Sequence, residues 1–393
     1  MVPRTKVNYR LPELVRACFL GDRGDRRREE LSLRLGEMLN NPQVLLTASG
    51  RGALYVLLSC LPHRRVLVPA YTCKAVVEAA RLAGKELLFQ ESEENGFNMA
   101  PDSIEASLDS ETILLATHQF GFPCDIHRMI EAAKAQGAFV IEDAAASLGT
   151  RIRGRLTGTF GDAAFFSFDS TKLVNVPLKA GFLVVRDSDL FARCREFVAD
   201  RCHPMPLRRK LKYLLLGAIL VALEQPALYR AFHNLKFRWR GRFTDDSADL
   251  ELRLGPFYVD QMAEWQAALA FPQIDRLDAL IANRRRLYAE YLRCLGDATS
   301  FALPTVDAHN EWAPIRLPIR VHRDKLDFYR HACRRGIDFA FSFTFIASPS
   351  DFIRSHHLAA SVLDLPFYDR LTNDELQKVV TVLRDVDRSV PRG

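Results

Sequence analysis

Short, continuous apolar runs alternate with segments of helical period along the first half of this chain. Val66-Leu67-Val68, Leu87-Leu88-Phe89, Ile113-Leu114-Leu115, Ala138 to Ile141, Ala163 to Phe166 and Phe182 to Val185 carry no polar break, the pattern of strands buried on both faces. Between the earlier runs, Cys73 to Ala83 and Asp125 to Gln136 repeat apolar residues at helical spacing. Strands alternating with helices predict an α/β fold with a mainly parallel sheet. From Phe257 the pattern changes. A long helical stretch, Gln261 to Tyr291, leads into a second unit with a strand over Ile315 to Val321 and a closing helix from Asn373. The expected organisation is an N-terminal arm over 1–40, a large domain over 41–256, and a long helix with a smaller C-terminal α+β domain over 257–393. In that smaller unit Phe339, Phe341, Phe343 and Phe345 alternate, so a strand there would turn all four rings to one face, as a packed core face or as an apolar substrate wall.

Composition bounds this picture. A chain of 393 residues exceeds the usual size of a single core, which agrees with one large and one smaller domain. Hydrophobic residues at 48% and charged ones at 26% are globular values. The net charge of +6 is modest, and the run Arg26-Arg27-Arg28 is followed at once by Glu29-Glu30, so no concentrated basic face points to nucleic acid as a partner. None of the eight cysteines forms a Cys-x-x-Cys pair, which suggests neither a metal site nor a disulfide framework. Met1 to Lys6 has no apolar core after its charges and is not read as a signal peptide. Reduced thiols and a cytoplasmic address are therefore expected.

One stretch stands apart. Tyr213 to Leu223 is apolar, with Arg208, Arg209, Lys210 and Lys212 before it and Lys236, Arg238, Arg240 and Arg242 after it. It is shorter than the roughly 20 residues that span a bilayer. The segment 204–245 reads as an insertion in the large domain whose helix is buried, packed in a subunit contact, or laid on a membrane surface. Phe232, Phe237, Trp239 and Phe243 among the basic residues suit a headgroup region and a dimer contact alike. Peripheral contact at the inner membrane face through 204–243 stays open on these grounds.

The chemistry lies at the ends of the apolar runs. Asp143 closes Ile141-Glu142-Asp143, and Lys172 follows Phe166-Ser167-Phe168-Asp169-Ser170-Thr171. An acid, a hydroxyl and a lysine in this order are the parts a pyridoxal 5'-phosphate site needs: a carboxylate keeps the ring nitrogen protonated, and a lysine holds the aldehyde as a Schiff base. Either residue alone would read as a strand end or a surface cation. Ser49-Gly50-Arg51-Gly52 follows Val44-Leu45-Leu46 and opens the helical Ala53 to Leu58, so it is a phosphate cradle or a plain helix start. Tyr55 occupies the third glycine position of a dinucleotide fingerprint, which disfavours that cofactor. Tyr71 and His118 follow apolar runs at the edge where ligands of open α/β sheets gather, and each is read equally as packing.

The runs Glu142 to Gly149, Phe160 to Phe168, Thr171-Lys172 and Ala180 to Val185 resemble the DegT-type sugar aminotransferases, fold-type-I pyridoxal phosphate enzymes, in wording and order. Ser49 to Leu54, Val68 to Thr72, His118 to Gly121, Glu264 to Leu269 and Leu363 to Tyr368 extend the likeness over nearly the whole chain. The resemblance implies an aspartate-aminotransferase-like large domain, an amino donor such as glutamate or glutamine, a keto-sugar or related, even lipid-bearing, carbonyl acceptor, and a homodimer. It implies catalytic roles for Lys172 and Asp143, and cofactor contacts from Ser49, Gly50, Arg51, Gly52, Tyr71, Asp143, Ala146, Ser167 and Lys172. His118, Phe339, Phe341 and Phe343 are its substrate candidates. Three positions depart from the family pattern: Ala146 replaces a usual Gln or His, Val259 stands where an asparagine reaches the partner's cofactor phosphate, and Lys179 sits near a customary glutamate. A dehydratase or decarboxylase with the same cofactor, or a non-catalytic relative with a binding role, remains an alternative at this stage.

Overall fold

In the computed structural model, which describes residues 1–20, 26–240, 250–307, 310–344 and 346–388, every apolar run of the first half is a strand. They are β1 (Val44–Thr47), β2 (Arg65–Pro69), β3 (Glu86–Gln90), β4 (Thr112–Thr117) and β5 (Phe139–Asp143). After a short hairpin of β6 (Arg151–Ile152) and β7 (Arg155–Leu156) come β8 (Ala163–Ser167) and β9 (Gly181–Val185). Seven of them form one sheet in the order β1-β9-β8-β5-β4-β2-β3. Strands β3, β2, β4, β5 and β8 run parallel, while β9 runs antiparallel to both β8 and β1. Every residue of β4 and β9 is buried, which is why they lack polar alternation.

Helices cover both faces of this sheet. In chain order they are α1 (Leu11–Leu20), α2 (Arg26–Leu39), α3 (Gly50–Cys60), α4 (Lys74–Leu82), α5 (Ile126–Gln136) and α6 (Ser188–Arg201). Because β1 points the same way as β8, the start of α3 and the loops after β2, β4, β5 and β8 all emerge at one edge. The first forty residues, expected as an arm, bring Leu14, Ala17, Leu31, Leu35 and Leu39 into a core shared with Trp265 and Leu269.

The long helix expected over Gln261 to Tyr291 is instead two. After α7 (Leu207–Ala222), α8 (Pro226–Arg240) and the short α9 (Pro256–Val259) come α10 (Glu264–Asp275) and α11 (Leu277–Leu295). Pro272 removes one helical hydrogen bond inside α10, and Arg276 leaves helical geometry at φ −104°, ψ 13°. A second core follows, built on the antiparallel sheet of β10 (Phe301–Ala302), β12 (Leu317–Val321) and β13 (Val362–Leu365). Helices α11, α12 (Lys325–Arg334) and α14 (Asn373–Arg388) pack on it. Strand β11 (Asn310–Glu311) pairs back to β6, and α13 (Ile353–Ser361) precedes β13.

The phenylalanine series does not form the expected strand. Ala340 makes only an isolated bridge to Asp364, and Phe343 has φ of +50°, which breaks the two-residue alternation. Phe339 enters the second core beside Phe328, and Phe341 packs 4.9 Å from the Tyr329 ring. Phe343 turns elsewhere, toward Phe120 and Tyr71. Phe345 lies outside the described residues, as do Arg242 and Phe243 and the side chains of Phe237 and Trp239.

Candidate active site

Strand β1 delivers Ser49 as the N-cap of α3. Its hydroxyl accepts from Gly52 N–H at 3.0 Å and donates to the Phe257 carbonyl at 2.6 Å. The helix itself offers no carbonyl to the N–H groups of Gly50 and Arg51, and both residues line a cavity of about 260 Å³. Glycine is required at this start. A Cβ on Gly50 would lie 2.9 Å from Ser167 Cβ, and one on Gly181 would lie 2.5 Å from Gly50 N. Gly52 instead gives close packing, since its Cβ would meet the Phe257 carbonyl at 2.6 Å. Arg51 turns its guanidinium to Glu78 at 3.0 Å.

The opposite wall carries the charges. Asp143 ends β5, buried, with its carboxylate accepting the Ala145 N–H at 3.1 Å. Burial pushes this carboxyl up from its ordinary range, against the opposing pull of that N–H and of Lys172. Lys172 lies on a loop that is held firmly: Asn175 Nδ2 donates to the Lys172 carbonyl at 2.8 Å, and Gln273 of α10 accepts from Asn175 N–H at 3.0 Å. Asn8, near the chain start, donates to the Leu173 carbonyl at 2.7 Å. Burial lowers the Lys172 ammonium below its usual value, and the neighbouring Arg316 guanidinium lowers it further, opposed by Asp169, Asp143 and Cys73. Asp169 takes Lys179 Nζ at 2.6 Å and the Thr171 N–H and hydroxyl at 3.1 and 3.0 Å. Burial raises its carboxyl, but Lys179 and these donors hold it on balance well below the carboxylate range.

His118, at the end of β4, is fully buried. Cys124 N–H donates to Nδ1 at 3.1 Å, so that nitrogen carries no proton, and Nε2 donates to Glu142 at 3.2 Å. Burial opposes charge on this imidazole while Cys124 and Glu142 favour it; because the Cys124 N–H already fills Nδ1, only one proton fits and the ring is neutral in this arrangement. Glu142 also accepts backbone N–H groups from Gly158 and Gly161 at 2.8 and 2.7 Å, a clamp from β5 to the turn after β7.

The cavity brings together Ser49, Gly50, Arg51, His118, Asp143, Ala146, Ser167, Lys172 and Phe343. It does not take in Gly52, Tyr71, Phe339 or Phe341. Tyr71 is buried behind it, its hydroxyl donating to the Ser342 carbonyl at 3.3 Å. Sequence reasoning missed Thr72, Asp169, Thr171 and Arg316, which also line the cavity. Arg316 arrives from the second core, bound to Asp364 at 2.8 Å, to Thr171 at 3.3 Å and to the Ser342 hydroxyl. Thr72 Oγ1 is buried with no hydrogen-bond partner among the described residues. Its position three residues past β2 was the available signal, since His118 and Asp143 stand at equivalent strand ends.

The arrangement offers an anion-binding helix start, a buried carboxylate and an amine of lowered basicity around one small cavity. The model of the DegT/DnrJ/EryC1/StrS aminotransferase family matches residues 16–384. GDP-perosamine synthase of Escherichia coli O157:H7 is 34% identical over 163 residues, 40% of this chain and 44% of that protein, so the match spans less than half of that relative. A UDP-N-acetyl-3-dehydro-alpha-D-glucosamine 3-aminotransferase of Acidithiobacillus ferrooxidans is 25% identical over 345 residues, 86% of this chain and 82% of the relative. Among solved structures, a putative sugar aminotransferase of Streptococcus pneumoniae in its PMP form is 16% identical and covers 99% of each chain at a TM-score of 0.78. An aminotransferase of Streptoalloteichus hindustanus is 18% identical over 98% of each chain at 0.76. These two share the fold. The family match runs from within α1 to within α14 and takes in most of both cores and every cavity residue, and the chain belongs to the DegT/DnrJ/EryC1/StrS aminotransferase family.

Proposed function

We propose that this protein is a pyridoxal 5'-phosphate-dependent aminotransferase that moves an amino group from glutamate or glutamine to the carbonyl of a keto-sugar or related acceptor. The observation that carries the reading is the convergence of Asp143 and Lys172 on one buried cavity at the N-terminus of α3. The residues present fit the cofactor. A buried carboxylate that accepts one hydrogen bond among the described residues, Asp143, calls for a cationic partner such as a protonated ring nitrogen. The N–H groups of Gly50 and Arg51 with the Ser167 hydroxyl form a cradle for a phosphate, and the orphaned Thr72 hydroxyl supplies one more donor in the same cavity.

Bound there, pyridoxal phosphate supplies an aldehyde for capture of an amine and a ring that accepts electrons. Lys172 would hold that aldehyde and, once displaced by the donor's amine, act as the base that moves the proton from the substrate carbon. Its lowered basicity keeps a larger share of it neutral for both tasks. Asp143 would fix the ring nitrogen in its protonated form. Neutral His118, braced by Glu142, walls the cavity without adding charge. A homodimer belongs to this reading through the family resemblance, and a cytoplasmic address through the free state of all eight thiols.

The test is a half-reaction. Protein loaded with cofactor and given glutamate or glutamine should convert bound cofactor to its amine form and release one equivalent of the matching 2-oxo acid. Loss of carbon dioxide or of water from the added substrate, without 2-oxo acid, would contradict transamination and favour other chemistry at the same site.

A further inference from the structure

Helix α7 has two apolar faces, and the described residues cover only one of them. Tyr213 and Gly217 are buried on the inner face. A Cβ on Gly217 would lie 2.6 Å from Pro177 Cγ, so the helix rests directly on the loop that leads from Lys172 to Lys179. Arg209 fixes its first turn by pairing with Asp260. Leu207, Leu211, Leu215 and Ile219 recur every four residues and are exposed, Leu211 at 57% and Leu215 at 63%. Beside α7, α1 adds exposed Leu11, Val15 and Phe19 at the same spacing. The chain then bends by 116° into α8, which exposes Leu228, Phe232 and Leu235.

Charge decides what suits this surface. Between residues 204 and 240, Lys and Arg outnumber acids eight to one, and the one acid, Glu224, is bound to Arg370. Arg208 and Lys212 are exposed at the start of the stripe. A two-fold contact through this face would set the same cations against one another. An anionic lipid interface offers both an apolar layer for the leucines and counter-charge for the rim. At 16 residues α7 is about 24 Å long, too short to cross a bilayer but suited to lie along one. We propose that the outer face of α7, with its basic rim, docks this enzyme reversibly on an anionic phospholipid bilayer. Docking there holds the loop from Lys172 to Lys179 about 10 Å, one helix thickness, from the lipid.

The experiment is co-sedimentation of the full-length protein with vesicles of phosphatidylcholine alone or mixed with phosphatidylglycerol, at low and high salt. The protein should pellet with the anionic vesicles at low salt, remain in solution with the neutral ones, and be released by high salt. Leu211→Glu with Leu215→Glu should abolish pelleting while leaving the melting temperature and elution volume unchanged. Arg208→Gln with Lys212→Gln, which keeps the apolar stripe, should weaken partitioning by about 30-fold and decides the matter if the glutamate pair does not fold. The proposal is overturned if the wild type stays in solution with anionic vesicles at low salt, or if both variants pellet like the wild type. It is equally overturned if the glutamate pair changes the number of subunits, which would make the stripe a subunit contact.

Discussion

Lys172 shares its cavity with cations and anions whose balance sets its basicity. Burial and Arg316 lower its pKa, and Asp169 and Asp143 act against them. A lowered pKa means that the neutral amine, the form that condenses with an aldehyde, appears at lower pH than for a solvated lysine. Capture of pyridoxal phosphate by the apoprotein should therefore speed up as pH rises through that lowered value. Arg316→Gln removes a neighbouring cation, and that change raises the amine's pKa. The rising limb should move to higher pH in that variant and stay in place in Arg316→Lys. A limb that does not move in Arg316→Gln would mean that Arg316 has no hold on the amine. Asp143→Asn makes a different test. Its amide oxygen can still accept the Ala145 N–H, so the melting temperature should stay near the wild-type value. Turnover should fall by on the order of a hundredfold or more, because an amide cannot stabilise a protonated ring nitrogen. Near-normal turnover would assign that role to another residue.

At the scale of elements, the site depends on how strand ends are tied together. Glu142 joins β5 to the turn after β7 and, through His118, to the end of β4. Glu142→Ala would orphan at least two buried N–H groups, costing about 3 kcal/mol or more. Thermal unfolding should show that loss, together with weaker cofactor retention, since Asp143 is the next residue. Retained stability would show that water can replace the carboxylate. The strands bearing these groups were legible because burial on both faces leaves no polar break in them. The division of α10 from α11 was not, because the helical period of apolar residues continues through Pro272 and Arg276. Nor was the fate of Phe343, whose left-handed backbone leaves no trace in the alternating pattern. Arg316 escaped notice because a charged residue entering a strand reads as surface, and its partner Asp364 lies 48 positions away.

Across the whole molecule, the cavity takes its walls from the large sheet and from segments of the C-terminal part of the chain. The large sheet and the loop after β8 supply Asp143, Ser167 and Lys172, and the C-terminal part of the chain supplies Ile315 and Arg316, just before β12, and Phe343. Phe343 bridges them, with ring centroids 5.3 Å from Phe120 and 5.4 Å from Tyr71. Phe343→Ala should remove about 2 kcal/mol of stability, less than a fully buried ring would, and should raise substrate KM more than it lowers kcat. A fall in kcat with unchanged KM would place the ring in the chemical step. Positions from both cores were legible as family wording, but their meeting required the fold: nothing in the spacing of Ser49, Asp143 and Phe343 brings them to one cavity. The claim on which the rest depends is that Lys172 is the covalent anchor of pyridoxal phosphate. Borohydride reduction of the loaded protein, followed by peptide mass spectrometry, tests it most directly. A phosphopyridoxyl group should appear on the peptide containing Lys172, and none on the Lys172→Ala protein. A group found on another lysine, or still attached to Lys172→Ala, would contradict it.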